Sequence, residues 1–249
     1  MRRYPLINHR TYRYLGLLGM LIVLNGCATT TVRYTLKETP VQTAPLPYHV
    51  VVGVFTDERP QEERVEQKPP KNTSPRSEAF YTSDKNFKSN IPYQIATAMA
   101  DHLRQTNLVQ KVTVNVDTDI DAKPEVLDQL AREGVDLVIT GHLVHFTGYV
   151  SGFTPGGTVA ERMGGALGVL SETIAHPKTV GGLVEYQNLK IIDMTQGLAV
   201  WKGDVSHRFE RQETWWKTPT HYALEALGEA NAKMVEQLEQ TLQAIKKRD

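Results

Sequence analysis

Two histidines with a short spacing are the first candidates for chemistry, because imidazoles bind metals and transfer protons. His142 and His145 lie in the segment GHLVHF, which has the apolar character of a strand. Three residues apart on a regular strand, their side chains would point to opposite faces and could not share a metal ion. A zinc site would need further ligands, and the chain has a single cysteine. We therefore interpret both as ordinary strand histidines and predict no metal and no cofactor.

A charged group follows the first apolar segment directly, in the order Asp57, Glu58, Arg59. Carboxylates at the C-terminal end of a strand can be catalytic in α/β folds, but an ion-paired, solvated loop gives the same pattern. The sequence places no second acid to complete an acid–base pair, and it contains neither a G-x-S-x-G elbow nor a phosphate-binding G-K-[ST]. The sequence therefore predicts that the protein is not an enzyme.

Four side chains are candidate partner contacts: Asp57, Arg59, Trp215 and Trp216. The two tryptophans stand in a polar connection before the last predicted helix. Exposed aromatic residues anchor many interfaces, although such residues also pack over the end of a core. A glycine-rich insertion at 150–182, uncharged at its centre, is another candidate. It fits a subunit contact, a membrane-facing segment or a mobile loop.

The single cysteine, Cys27, follows an apolar run at 15–24 and the tripeptide Leu-Asn-Gly. Four arginines and no acid precede that run, which is typical of an export signal. The run is shorter than the roughly 20 apolar residues of a transmembrane helix. The sequence LNGC resembles the lipobox of bacterial lipoproteins, in which the chain is cleaved in front of a cysteine that carries acyl chains. We therefore predict a lipoprotein signal peptide at 1–26 and lipidation of Cys27.

The residues after Cys27 give the expected location and partners. Ala28, in place of an aspartate, resembles the sorting pattern of lipoproteins on the periplasmic face of the outer membrane. Residues 27–47 are rich in Thr and Pro and are predicted to be a flexible tether. Without the four arginines of the signal, 24 basic residues remain against 28 acidic ones. No nucleic-acid partner is expected from this charge.

Residues 48–249 are predicted to form a single domain with an α+β fold. Apolar runs and alternation predict strands at 48–55, 108–116, 135–149, 183–193 and 198–209, and apolar stripes predict helices at 91–107, 124–133 and 220–246. The order β-α-β-α-β-β-β-α indicates a mixed sheet with helices mainly on one face. A polar loop at 56–90 and the insertion at 150–182 interrupt it.

Several segments together resemble a group of periplasmic lipoproteins. They are VVVGVFTDERP, IPYQIATAMADHL, GVDLVITGHLVHF and LVEYQNLKIIDMTQGLAVWKGDVSHRF. The layout is similar to the YajG-like lipoproteins, the LpoB activators of peptidoglycan synthase and the N-terminal part of the CsgG curli secretion proteins. The resemblance covers about residues 48–245 and implies a non-enzymatic role. The insertion lacks the alternating hairpins of the curli channel, so a pore is not implied.

The expected function is that of an outer-membrane-anchored periplasmic lipoprotein that acts as a scaffold, adaptor or activator in cell-envelope assembly. Its expected partners are the membrane, through the lipid anchor, and other envelope proteins. Three alternatives stay open: an oligomeric accessory subunit of a secretion or exopolysaccharide export complex, a periplasmic hydrolase, and a carrier for an apolar ligand. A homo-oligomer also stays open.

Overall fold

The structure, a computed structural model, describes residues 30–34, 44–65, 79–88, 90–151, 178–214 and 217–247. Seven strands form one sheet: β1 (Leu46–Val54), β2 (Thr56–Asp57), β3 (Ala79–Tyr81), β4 (Val109–Thr118), β5 (Leu137–Ser151), β6 (Lys178–Asp193) and β7 (Leu198–Glu213). The helices are α1 (Gln61–Arg64), α2 (Ile91–Thr106), α3 (Pro124–Arg132) and α4 (Pro219–Lys246). The predicted α+β fold and the order of its main elements are confirmed.

The sheet is mixed, as predicted, with the order β4-β1-β5-β6-β7. Parallel pairs join β1 to β4 and β5, and antiparallel pairs join β5, β6 and β7 into a meander. Beyond the end of β1, the short strands β2 and β3 pair with the rest of β5. Both strands, together with α1, lie in the segment 56–90, which was predicted to be a polar loop.

Two helices cover one face of the sheet and one covers the other. Ile95 of α2 and Leu227 of α4 pack with Val52 in the main core and are fully buried. Leu130 of α3 packs with Val138 in a smaller cluster on the opposite face. This arrangement agrees with the prediction of helices mainly on one face. No helix in the described ranges is long and apolar enough to cross a membrane.

Helix α2 begins where the sequence indicates. The Asn90 side chain accepts a hydrogen bond of 3.2 Å from the Tyr93 amide, and Pro92 occupies the first turn, where its missing N–H costs nothing. The helix ends at Asn107, whose φ of 52° is the left-handed conformation that asparagine tolerates. Local sequence therefore fixes the position of α2 along the chain.

Helix α4 approaches the sheet closely where the strands carry glycine. A Cβ atom on Gly148 would lie 2.0 Å from the Pro219 carbonyl oxygen, and one on Gly182 would lie 2.3 Å from the Tyr222 carbonyl oxygen. Backbone therefore packs directly on backbone at the start of α4, and any side chain at these two positions would push the helix away.

Candidate functional site

The segment 30–34, which follows the predicted acylation site by three residues, is docked on the domain. The Thr30 amide donates to the Asn86 carbonyl at 2.7 Å, and the Lys88 amide donates to the Thr30 carbonyl at 3.2 Å. Two residues on, the Val32 amide donates to the Gln94 side chain at 2.8 Å, and Val32 is buried in the main core. We call residues 30–34 the docked segment.

The Tyr34 hydroxyl ends the docked segment in a buried polar network. It accepts a hydrogen bond of 2.8 Å from the Asn231 amide of α4 and shares one of 3.0 Å with Nδ1 of His102 on α2. Asn231 in turn accepts a 2.7 Å hydrogen bond from the hydroxyl of Tyr186 in β6. The segment is therefore tied to both large helices and, through Asn231, to the sheet.

Burial sets the protonation of this network. It raises the pKa of the Tyr34 hydroxyl well above its usual value, so the phenol stays neutral. It also lowers the pKa of His102 to about 4, so the imidazole is neutral at neutral pH. Within the described part of the chain, the His102 Nε2 atom has no hydrogen-bond partner. The network holds the segment by neutral hydrogen bonds rather than by charge.

This docking corrects part of the tether prediction. Residues 27–47 were expected to be flexible because of their Thr and Pro content, yet the docked segment within them packs on the domain. Val32 and Tyr34 are the reason, since each supplies apolar surface that α2 and α4 bury. Residues 35–43 lie outside the described ranges. At 44–47 the chain reaches β1, where the Leu46 amide donates to the Leu108 carbonyl.

A second polar group lies on the face of β5 that α3 leaves open. The Nδ1 atom of His142 is 2.7 Å from Oε1 of Glu58, and Nδ1 of His145 is 2.6 Å from Oε1 of Glu63. The other Glu63 oxygen accepts a 3.0 Å hydrogen bond from the Phe146 amide. We call Glu58, Glu63, His142 and His145 the histidine face. These pairs fasten the segment 58–63 to β5.

The prediction that the two histidines point to opposite faces is wrong. His142 stands opposite Gln187 and His145 opposite Glu185, so β5 advances three residues while β6 advances two. Val144 is the extra residue of a β-bulge. Because of this bulge, the side chains of His142 and His145 lie on the same face of the sheet although they are three positions apart. Glu58 and Glu63, which the sequence could not place, are brought to the histidines by the turn after β1. A bulge leaves no sequence signal here.

Arg59, predicted to be a partner contact, lies inside the domain. Its guanidinium donates to Asp57 Oδ1 at 2.9 Å and to Asp84 Oδ1 at 3.0 Å, and its side chain is only 1% exposed. Arg59 holds the pKa of Asp57 below its usual value, although burial acts in the opposite direction and more strongly than any single contact. Arg59 is therefore a structural cation, and only the part-exposed Asp57 carboxylate is left to meet a partner.

The remaining predicted residues are not brought into either group. Cys27, Trp215 and Trp216 lie outside the described residues, as does most of the insertion at 150–182. Its two ends are strand residues of β5 and β6. Among the described side chains, no cluster of three metal ligands occurs. A broad cleft of about 540 Å³ beside Lys111 has a mainly polar lining.

No family model matches this chain, and no curated protein matches it in sequence. A Xanthomonas campestris protein of the family DUF330 is similar in fold, with a TM-score of 0.47, 9% identity, and coverage of 86% of this chain and 96% of that one. A PelC dodecamer from Paraburkholderia phytofirmans has a TM-score of 0.36 and 11% identity, and the match covers 82% of this chain and 96% of that one. The lipoprotein GNA1162 from Neisseria meningitidis has a TM-score of 0.30 and 11% identity, and the match covers 78% of this chain and 99% of that one. These distant similarities assign neither a family nor a function.

Proposed function

We propose that this protein is a lipoprotein, held by acyl chains on Cys27 at the periplasmic face of the outer membrane. Its domain serves as a scaffold, adaptor or activator in cell-envelope assembly and catalyses no reaction. The observation that carries the proposal is the docked segment. A lipobox-like sequence ends three residues before Thr30, where the chain becomes part of the domain. The lipid and the fold are thus joined with almost no chain between them.

The histidine face is the surface that we assign to partner binding. It carries two carboxylates and two imidazoles on a strand face that no long helix covers, and Val65, two residues after Glu63 in the chain, is 51% exposed. Polar rims with an exposed apolar residue are common at transient interfaces. Asp57 lies in the same turn, with part of its carboxylate exposed.

The proposal is tested in cells by fractionation and by site-specific photo-crosslinking. Replacing Cys27 by serine removes the atom to be acylated, so the protein should leave the membrane fraction. A photo-crosslinker at Val65 should capture a discrete envelope protein, and one at Leu198, which is similarly exposed but distant, should not. Unchanged membrane association of the serine variant would contradict the lipid anchor. Identical capture at both positions would contradict the assigned surface.

An oligomeric subunit of an export complex is the second candidate, and the sheet edges favour it. Strand β7 is 16 residues long and pairs on one side only within the described sheet. Free edges support pairing between copies. The other edge, β4, is less suited, because the Arg104 guanidinium donates to the Val112 carbonyl there. Light scattering of the purified protein, with and without residues 152–177, separates a ring that needs the insertion from a monomer.

A hydrolase is the third candidate, since an imidazole held by a carboxylate is the usual arrangement of a general base. The arrangement lacks a nucleophile within the described residues. No hydroxyl or thiol there hydrogen-bonds to the ring of His142 or His145, and Nε2 of His142 instead lies 3.4 Å from the Asn188 amide. Replacing His142 by glutamine, which keeps a polar side chain on the histidine face, should therefore weaken an envelope phenotype only in part, whereas the loss of a catalytic base would abolish it.

A further inference from the structure

We infer that the surface around Thr30, formed by Lys85, Lys88 and Tyr93, lies against the phospholipid headgroups of the membrane that holds the protein. The inference rests on the proposed acylation of Cys27 and adds an orientation to it. The partner is the lipid surface itself. We call this surface the headgroup face.

Chain length carries the first step. Thr30 is three positions after Cys27, and an extended chain spans at most about 3.6 Å per residue. The Cα atom of Thr30 therefore lies within about 11 Å of the Cα atom of the acylated residue. Acyl chains insert into the hydrocarbon layer, so the acylated cysteine sits at the headgroup level. Thr30 and the residues bonded to it must be close to that level.

The second step is that Thr30 belongs to the domain. Its amide and its carbonyl both pair with the strip at 86–88, and Val32 is buried two residues later. A loose linker would let the domain turn in any direction. A segment fixed at Thr30, Val32 and Tyr34 instead keeps the acylated residue within three residues of a fixed point of the domain. The membrane therefore meets the domain on the side where Thr30 is held.

The third step is the chemistry of that side. Lys85 and Lys88 are exposed, and Tyr93 is 41% exposed in the first turn of α2. Ammonium groups bind lipid phosphates, and tyrosine rings favour the membrane–water interface. The nearby Asp84 carboxylate shares the buried Arg59 guanidinium with Asp57, at 3.0 Å, so its negative charge is partly offset.

The opposite end of the sheet supplies a control position. Leu198 is 64% exposed and pairs with Asp193, which pairs with Leu137 at the beginning of β5. Phe87 lies between the two residues that pair with Thr30, and its ring packs on Phe146, nine residues further along β5 than Leu137. At about 3.3 Å per strand residue, the two places are about 25–30 Å apart along β5. Leu198 should therefore stand clear of the headgroups.

The test places an environment-sensitive fluorophore on the full-length protein, purified from membranes and reconstituted in vesicles of phosphatidylethanolamine and phosphatidylglycerol. The labelled variants are Lys88→Cys and Tyr93→Cys, with Leu198→Cys as the control. Cys27 is the only native cysteine, so acylation leaves one reactive thiol in each variant. Quenching is measured with lipids that carry a nitroxide on the headgroup. Far-ultraviolet circular dichroism of each variant checks that the fold is kept.

We expect quenching at positions 88 and 93 to exceed that at 198 by about twofold or more, because quenching requires contact with the headgroup layer. Equal quenching at the three positions, in protein that floats with the vesicles, would overturn the inference and leave acylation intact. A wild-type protein that reacts with the fluorophore and does not float would overturn acylation, and the inference with it. The two failures are therefore distinguishable.

Discussion

The Tyr34 hydroxyl and the Asn231 side-chain amide lie 2.8 Å apart, and this contact joins residues separated by 197 positions in the chain. Tyr34 ends the docked segment, and Asn231 sits in the middle of α4, fully buried. Asn231 also accepts the hydrogen bond of Tyr186, itself fully buried in β6. The segment that follows the proposed lipid anchor is thus held by the centre of the fold.

Replacing Tyr34 by phenylalanine should destabilise the protein by about 1–3 kcal/mol, because the Asn231 amide loses its acceptor inside the domain. The free energy of unfolding is measured by urea denaturation of the purified protein. Tyr93→Phe is the matched control and should change it by less than about 0.5 kcal/mol, since Tyr93 is on the surface. Equal effects of the two changes would contradict a docked Tyr34.

His102 makes stability depend on pH in a defined direction. Its pKa is about 4 in the folded protein, against 6.5 for an unperturbed histidine, so the unfolded state holds more protons between these pH values. Stability should therefore fall as the pH drops from about 6.5 to about 4, by up to about 3 kcal/mol from this residue.

His102→Gln, whose side chain does not titrate, separates this effect from that of other histidines. Burial also lowers the pKa of His49 and His221, so some pH dependence should remain in the variant. Urea denaturation at several pH values gives the slope. A variant with the same slope as the wild type would show that His102 is accessible to protons in the folded state.

Much of the fold follows from sequence alone because its elements carry local signals. The run of valines at 50–52 predicts a strand buried on both faces, and Asn90 with Pro92 predicts the start of α2. The glycine at 197, with a φ of 64°, marks the turn between β6 and β7. Each of these is a property of neighbouring residues, so no knowledge of the tertiary structure is needed.

Arg59→Lys should cost about 3 kcal/mol or more, because a lysine cannot bond both carboxylates of Asp57 and Asp84 in the geometry of the guanidinium. Thermal or urea unfolding measures the loss. Arg64→Lys is the control: Arg64 also faces Asp57, at 3.7 Å, but its side chain is 48% exposed. Exposed pairs contribute about 1 kcal/mol at most. A small effect at both positions would show that Arg59 is solvated.

Gly148→Ala should destabilise the protein by about 1–3 kcal/mol or more, because the new methyl group would overlap the backbone of α4. A methyl carbon at position 148 would lie 2.0 Å from the Pro219 carbonyl oxygen and 2.5 Å from the Ala223 nitrogen. Thr147→Ala, one residue earlier and on the other face, is the control and should be far milder. Circular dichroism during thermal unfolding gives both values.

The candidate sites were harder to predict because long-range contacts make them. Nothing near His145 in the sequence indicates the extra residue Val144, which turns both histidines to one face. Nothing near Tyr34 indicates Asn231, and the Thr and Pro content around it is typical of a linker. The sequence shows Arg59 only as a charged residue that follows a strand. It does not indicate that Arg59 is buried, because the burial depends on the ion pair with Asp84, which comes from a distant turn.

The most direct test of lipidation at Cys27 is the mass of the N-terminal proteolytic peptide from protein purified out of bacterial membranes. We expect a peptide that begins at Cys27 and carries acyl chains on that residue. A peptide that begins upstream of Cys27, or an unmodified cysteine in membrane-bound protein, would contradict it. The docked segment would then need a different explanation, because no lipid would enter the membrane next to Thr30.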